Sequence, residues 1–495
     1  MKILYACSEL FPLLKTGGLA DVSAALPAAL RAANADVRLV LPAFPAIQNG
    51  VDVTGPALAL GFAGGPRVAQ AAPGQSAPRL LPARVRVGGQ PVYLIDAPAL
   101  YARPGSPYHD AQGHEWPDNA ERFALLGWAA ACLALGADPA WRPEVLHAHD
   151  WHAGLAPLYA RELARALGAR PPASVFTIHN LAYQGLFPAH LLGALGLPSW
   201  VFAVDGLEFY GQISFMKAGI QYADAITTVS PRYAREIQTP EQGCGLDGLL
   251  RARAERLFGI LNGVDDAVWN PAHDAFLAPE FAFDVDRLDG KARAKQALQQ
   301  ELGLQPRADA LLFVAVSRLS EQKGLHLLPA VLDALCARGG QVAVLGSGEA
   351  AIEAALQQAF AGHDGHAALR LGYDEALAHR LIAGGDVLLM PSRFEPCGLT
   401  QLYALRYGTL PLVHEVGGLA DTVTDCALEN LDDGSASGFV FHCFGTAGLD
   451  AAVRRAFALR RRAPEWAAAQ RHAMQLRFEW AQAAQRYLEL FSRFT

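Results

Sequence analysis

Short apolar runs alternate along the chain with longer amphipathic or alanine-rich segments. KILYAC (2–7), DVRLVLP (36–42), PVYLID (91–96), EVLHAH (144–149), SVFTIH (174–179) and AITTVS (225–230) are read as strands. Several are apolar without alternation, the pattern of parallel strands covered on both faces by helices. The intervening GLADVSAALPAALRAA and ERFALLGWAAACLAL are read as helices. After FGILNGVDDAVWNP (258–271) the pattern restarts with LLFVAVS (311–317), QVAVLG (341–346), DVLLMP (386–391) and TLPLVH (409–414). Two such runs predict an α/β protein of two doubly wound domains. GPALALGFAGGPRVAQAAPGQSAPR (55–79) reads as a mobile insertion loop. FEWAQAAQRYLELFSRF (478–494) reads as a helix with Trp480, Tyr487, Leu488 and Phe491 on one side.

Composition narrows the class. A chain of 495 residues has room for two large cores, and 52% apolar with 18% charged residues is a globular balance. The net charge of −7 argues against nucleic-acid binding but leaves room for an anionic small molecule held by local cations. Seven scattered cysteines, none spaced as CxxC, suit a reducing compartment and suggest neither a disulfide framework nor structural zinc. MKILYACSEL lacks the long apolar core of a signal peptide, and the longest apolar stretch (124–137) is too short to span a bilayer. A cytoplasmic protein, not bound to membrane, is expected.

One motif is written twice. Gly17-Gly18-Leu19-Ala20-Asp21 follows the first strand of the first domain, and Gly417-Gly418-Leu419-Ala420-Asp421 follows TLPLVH in the second. Glycine turns at the carboxyl ends of parallel strands let N–H groups at a helix start approach a phosphate. Two such turns, one from each domain, would suit a single anionic ligand; two unrelated turns would also read this way. Lys15 stands beside only the first copy. In SRLSEQKGL (317–325), Arg318 and Lys323 provide a forked donor and a point charge, a pair suited to a diphosphate. In PSRFEPCGLTQLYALRYGTLP (391–411), Glu395 precedes a turn into a helix, where a carboxylate and nearby N–H groups suit sugar hydroxyls. The dipole at a helix start would equally favour such a carboxylate.

Together KTGGLADV, HEWPDNAERFALLGW, HAHDWHAGL, FTIHNLAYQG, AVSRLSEQKGL, PSRFEPCGLTQLYALRYGTLPLV and GGLADTV resemble the bacterial glycogen synthases, ADP-glucose-dependent relatives of plant starch synthases. The resemblance runs from residue 2 to about 490. It implies two Rossmann-like domains facing across a deep cleft, the GT-B glycosyltransferase fold. These would be an acceptor-side domain over 1–258, a donor-side domain over 259–477 and a final helix over 478–495 packed on the first domain. It further implies that Lys15, Gly17 and Gly18 approach the ADP-glucose diphosphate, with Arg318 and Lys323 holding it from the other domain. Glu395 would lie beside the donor sugar, whose hydroxyls the backbone of Cys397, Gly398 and Leu399 would meet. His179, Asn180 and Asp150 would line the glucose pocket. Glu9, Asp21 and Tyr101 would border the same cleft, and Gly417 and Gly418 would add backbone on the phosphate side. No metal or cofactor is implied; the partners are ADP-glucose and an α-1,4-glucan acceptor.

The chain departs from its relatives in places. Tyr403 stands where related two-domain transferases often carry a second glutamate, Val416 replaces a threonine, and His414-Glu415 replaces a basic pair. The family retains α stereochemistry. No carboxylate suited to a covalent intermediate is evident, so front-face attack is expected, with the departing diphosphate stabilised electrostatically. Four rival readings remain. A metal site in HAHDWH lacks the usual ligand order. A nicotinamide fingerprint in VAVLGSGEAA (342–351) lacks its acidic partner. A non-catalytic glucan-binding protein would have no use for the cations. A same-fold phosphorylase would need a pyridoxal phosphate lysine, for which no motif stands out.

Overall fold

The computed structural model describes residues 1–70 and 76–495. Contacts group the chain into two units. One comprises Met1–Val229, Ala234–Leu261 and Trp480–Thr495; the other comprises Ser230–Tyr233 and Asn262–Glu479.

Among the described residues of the first unit, seven parallel strands run in the spatial order Leu257–Gly259, Ala225–Thr228, Ala173–Ile178, Val145–His149, Lys2–Ala6, Asp36–Pro42 and Pro91–Asp96. Arg79–Val85 and Val51–Val53 extend the last edge antiparallel. The strand order reverses beside Lys2–Ala6, whose neighbours are Asp36–Pro42 on one side and Val145–His149 on the other. A ligand crevice belongs beyond the carboxyl ends at such a switch point. The strands Lys2–Ala6 and Val145–His149 are buried almost throughout, which is why they read as continuous apolar runs. The helix Trp480–Ser492 lies on this unit, where Tyr487 and Phe491 pack against the His147 ring.

The second unit has a six-stranded parallel sheet among the described residues. Its order is Ala367–Leu371, Gln341–Gly346, Leu312–Val316, Val387–Met390, Leu410–His414, Phe439–Phe441. The order reverses between Leu312–Val316 and Val387–Met390. The loops that carry Arg318 and Glu395 leave these two strands.

Strands read from apolar runs match to within two residues at either end. The antiparallel edge and a small sheet of Leu186–Pro188, Glu208–Phe209 and Gln212–Ser214 were not anticipated. Part of the supposed insertion loop (55–79) forms a strand, Leu58–Ala59, paired with Arg79–Val85, and a turn at Arg67–Ala69. Its residues 71–75 lie outside the described residues. No described helix is long and apolar enough to cross a membrane.

Candidate active site

In the first unit the loop after Lys2–Ala6 is tied down by one carboxylate. Glu9, 3% exposed, accepts from the Thr16 N–H at 2.7 Å and the Gly17 N–H at 3.3 Å. It also accepts from the Thr16 and Tyr108 hydroxyls. Glu9 therefore shapes the Lys15 loop from beneath instead of offering its oxygens to a ligand. Lys15 Nζ lies 3.0 Å from Asp21 Oδ1, in a pair that is only partly buried. The helix Gly18–Ala32 starts at Gly17 without a side-chain cap, so its first N–H groups face the loop region as an anion-favouring terminus.

On the adjacent strand, Asp150 follows Val145–His149 in a left-handed conformation (φ 57°) that non-glycine residues rarely adopt. It is buried, one carboxylate oxygen lacks a partner, and burial pushes its pKa up to about 8 against N–H donors from Asn180 and His179. The carboxyl is thus held protonated at neutral pH beside the next strand's end. His179 Nε2 and His149 Nδ1 are 2.9 Å apart and share a hydrogen bond. Burial lowers His179 to about 3, keeping it neutral. His147 Nε2 is bonded to Thr177 Oγ1 at 2.7 Å. His147 and His149 are thus drawn into different bonds, and among the described residues no three metal-ligating side chains converge. Tyr101 is placed unlike a substrate-contacting group. It is 1% exposed, and its hydroxyl donates to the Arg122 carbonyl at 2.7 Å, so it supports the loop that follows it.

In the second unit Glu395, 5% exposed, receives Lys323 Nζ at 2.7 Å and the Ser392 hydroxyl at 3.0 Å on the same oxygen. Arg318 is exposed just past the strand Leu312–Val316. The turn Cys397-Gly398-Leu399 leads into the helix Thr400–Arg406, which has no side-chain cap. Gly398 has φ 72°, and its carbonyl and that of Cys397 accept from Gln401 Nε2. Gly418 donates its N–H to the Glu395 carbonyl at 3.1 Å, so the backbone donor that the sequence reading assigned to a phosphate is spent within the chain. The departures also find their places. His414 Nδ1 braces the Ser392 carbonyl at 2.8 Å, and Tyr403 stacks on Trp269 with ring centroids 4.0 Å apart. After the strand Gln341–Gly346, the Glu353 carboxylate accepts the Gly348 N–H at 2.7 Å.

Sequence reasoning missed Thr16, Tyr108, Ser392 and His414 as supports. Tyr108 meets Glu9 across 99 positions, and no local pattern announces that; Ser392, three residues before Glu395 at a strand end, carried a weak local signal.

Comparison with known proteins identifies the frame. Residues 2–252 match the model for a starch synthase catalytic domain, and residues 310–442 match glycosyl transferases group 1. The glycogen synthase of Albidiferax ferrireducens is 60% identical over 492 residues, covering 99% of this chain and 98% of that one. That of Francisella tularensis subsp. novicida is 50% identical, with 99% and 98% covered. The catalytic domain of Arabidopsis thaliana starch synthase IV, solved with ADP and acarbose, has a TM-score of 0.87 and 31% identity, covering 99% of this chain and 98% of that one. Sucrose-phosphate synthase of Thermosynechococcus elongatus, at 17% identity, 99% and 98% coverage and TM-score 0.59, shares the fold. With relatives this similar matching end to end, the chain belongs to the glycogen synthase family, the GT-B glucosyltransferases of glycogen synthesis.

Proposed function

We propose that the chain transfers glucose from ADP-glucose to the 4-hydroxyl at the non-reducing end of an α-1,4-glucan, with retention at C1. The observation that carries this reading is that each unit's switch point presents an uncapped helix start with a cation beside it: Lys15 in the first, Arg318 and Lys323 in the second. These groups neutralise the donor diphosphate as it departs, the term expected to dominate the rate. The relative solved with ADP and acarbose supports ADP as the nucleotide and a glucan as the acceptor.

Retention proceeds by front-face attack. The C1–O bond to the diphosphate breaks, ADP leaves, and its phosphate oxygen takes the proton of the acceptor hydroxyl as the new C1–O4 bond forms on the same face. Neither buried carboxyl is suited to a covalent intermediate. Asp150 is protonated at neutral pH, and one Glu395 oxygen is held by Lys323 and Ser392. Asp150, His179 and Asn180 line the glucose pocket in this reading, and the turn 397–399 meets its hydroxyls.

The test supplies purified protein with a glycogen primer and either ADP-glucose or UDP-glucose, and follows incorporation and the anomeric configuration of the new linkage. Equal use of UDP-glucose sinks the donor assignment, and a β linkage sinks retention. No incorporation from either donor leaves a glucan-binding protein.

A further inference from the structure

The opposite edge of the first unit's sheet carries a second concentration of positive charge. Arg161, Arg251, Arg253 and Arg256 line a cavity of about 590 Å³ together with Asp224 and Glu255. Asp224 immediately precedes the strand Ala225–Thr228, and Arg256 immediately precedes Leu257–Gly259. The cavity therefore opens at the amino ends of the parallel strands, whereas Glu9, Asp150 and His179 follow strands at their carboxyl ends. A strand length of about 15 Å separates the two edges.

The cavity's charges are unevenly matched. Arg161 pairs with Asp224 at 3.0 Å, and the other Asp224 oxygen accepts from Ser174. Arg251 pairs with Asp247 at 2.7 Å. Arg253 instead turns inward, donating to the carbonyls of Ile220, Gln221 and Ala223. Arg256 donates to the Asp224 carbonyl at 3.2 Å and lies 5.2 Å from the Phe494 ring centroid. Carbonyls fix these two guanidiniums in place without cancelling their charge. The result is a net-positive recess in a chain of net charge −7.

We propose that this cavity is a second anion site that takes a phosphorylated small molecule, with Arg253 and Arg256 as its fixed cations and Arg161 and Arg251 at its rim. Planar guanidinium forks match phosphate oxygens two at a time. A recess of this volume is the size of an ordinary small-molecule pocket, too small for a folded partner. The proposal is independent of the donor and acceptor assigned above.

The probes are inorganic pyrophosphate and a hexose monophosphate, titrated by calorimetry into the full chain at low salt with saturating ADP, so that diphosphate-binding residues elsewhere are occupied. The expected result is ADP-resistant binding of at least one probe. It should weaken about tenfold or more in R251A/R256A, as loss of charge-assisted hydrogen bonds predicts, stay unchanged in Lys15→Ala, and fade as salt is raised. Tighter binding of the hexose monophosphate would identify a phosphosugar site, and tighter binding of pyrophosphate an inorganic one. Both altered arginines are exposed, and Arg256→Gln alone provides a milder variant should the double one melt early. Absence of ADP-resistant binding for both probes, or titrations identical in the arginine variants, overturns the proposal.

Discussion

The two copies of Gly-Gly-Leu-Ala-Asp solve different problems with the same five residues. In the first, Gly17 is extended (φ −161°), and a Cβ placed on it would meet nothing within 4 Å. In the second, Gly417 has φ 44°, and a Cβ would stand 1.9 Å from the Glu395 carbonyl oxygen; at Gly418 it would stand 2.1 Å from that of Cys397. Gly17 leaves open space outside the chain, where a ligand can come close. The second pair lets the 395–397 loop pack onto the helix start. The aspartates diverge likewise: Asp21 pairs with Lys15, whereas Asp421 accepts the Ser230 hydroxyl at 2.6 Å and the Arg232 N–H at 2.8 Å. Identical sequence after a parallel strand in each unit therefore does not mean an identical role. What surrounds the glycine decides whether the missing side chain serves a ligand or the fold.

Substitutions at the two copies should separate these roles. Gly417→Ala adds a left-handed alanine and a backbone clash, together costing roughly 3–5 kcal/mol. We expect little folded protein, or a large fall in melting temperature. Gly17→Ala should melt with the parent and lose turnover alone; equal loss of stability in both variants would break the contrast. Next in size, Lys15→Ala should reduce kcat/KM by about 10²–10³. Its melting point should hardly move, because a partly exposed Lys–Asp pair contributes about 0–1 kcal/mol. Unchanged activity would remove Lys15 from the diphosphate. Asp421→Asn should cost about 1 kcal/mol of stability through its part-buried hydrogen bonds, measurable by urea unfolding, whereas Asp21→Asn should show itself in KM or kcat and scarcely in the unfolding midpoint.

Much of this was legible in the sequence, for reasons that mark where legibility stops. The strands around both switch points are buried on two faces, so Lys2–Ala6 and Gln341–Gly346 write themselves as apolar runs. The glycine motifs and the Arg318–Lys323 spacing are local, and so they could be read. Glu9 and Tyr101 were read as cleft residues, but whether a carboxylate faces a ligand or its own loop depends on Thr16 and on Tyr108, 99 positions away. The use of Gly418's N–H by Glu395 was hidden for the same reason, since loop-to-loop bonds have no period. The edge strands escaped because Leu58–Ala59 and Val51–Val53 are too short for alternation to register.

The smallest effect concerns pH and bears on the edge beside the first copy. Burial raises the Asp150 carboxyl from 3.8 to about 8, so the native state holds a proton that the unfolded chain has released. Stability from this group is complete below the unfolded value of about 4 and is lost as pH climbs through 8. The buried histidines have the opposite sign. His147, His152 and His179 are lowered by burial from 6.5 to about 3, so their contribution is complete above 6.5 and is lost as pH falls toward 3. Between pH 7 and 9 the histidines are neutral in both states, and Asp150 alone of these four still titrates. Asp150→Asn should therefore flatten the decline in melting temperature over that interval, a difference of a few degrees at about 2–4 °C per kcal/mol. Only below about pH 4, where the carboxyl is protonated in both states, should the slope be the parent's. Parallel curves for variant and parent from pH 7 to 9 would mean that Asp150 is ionised in the folded protein. It would then be a buried carboxylate at a strand's carboxyl end, which reopens the covalent route that the proposed front-face attack replaces.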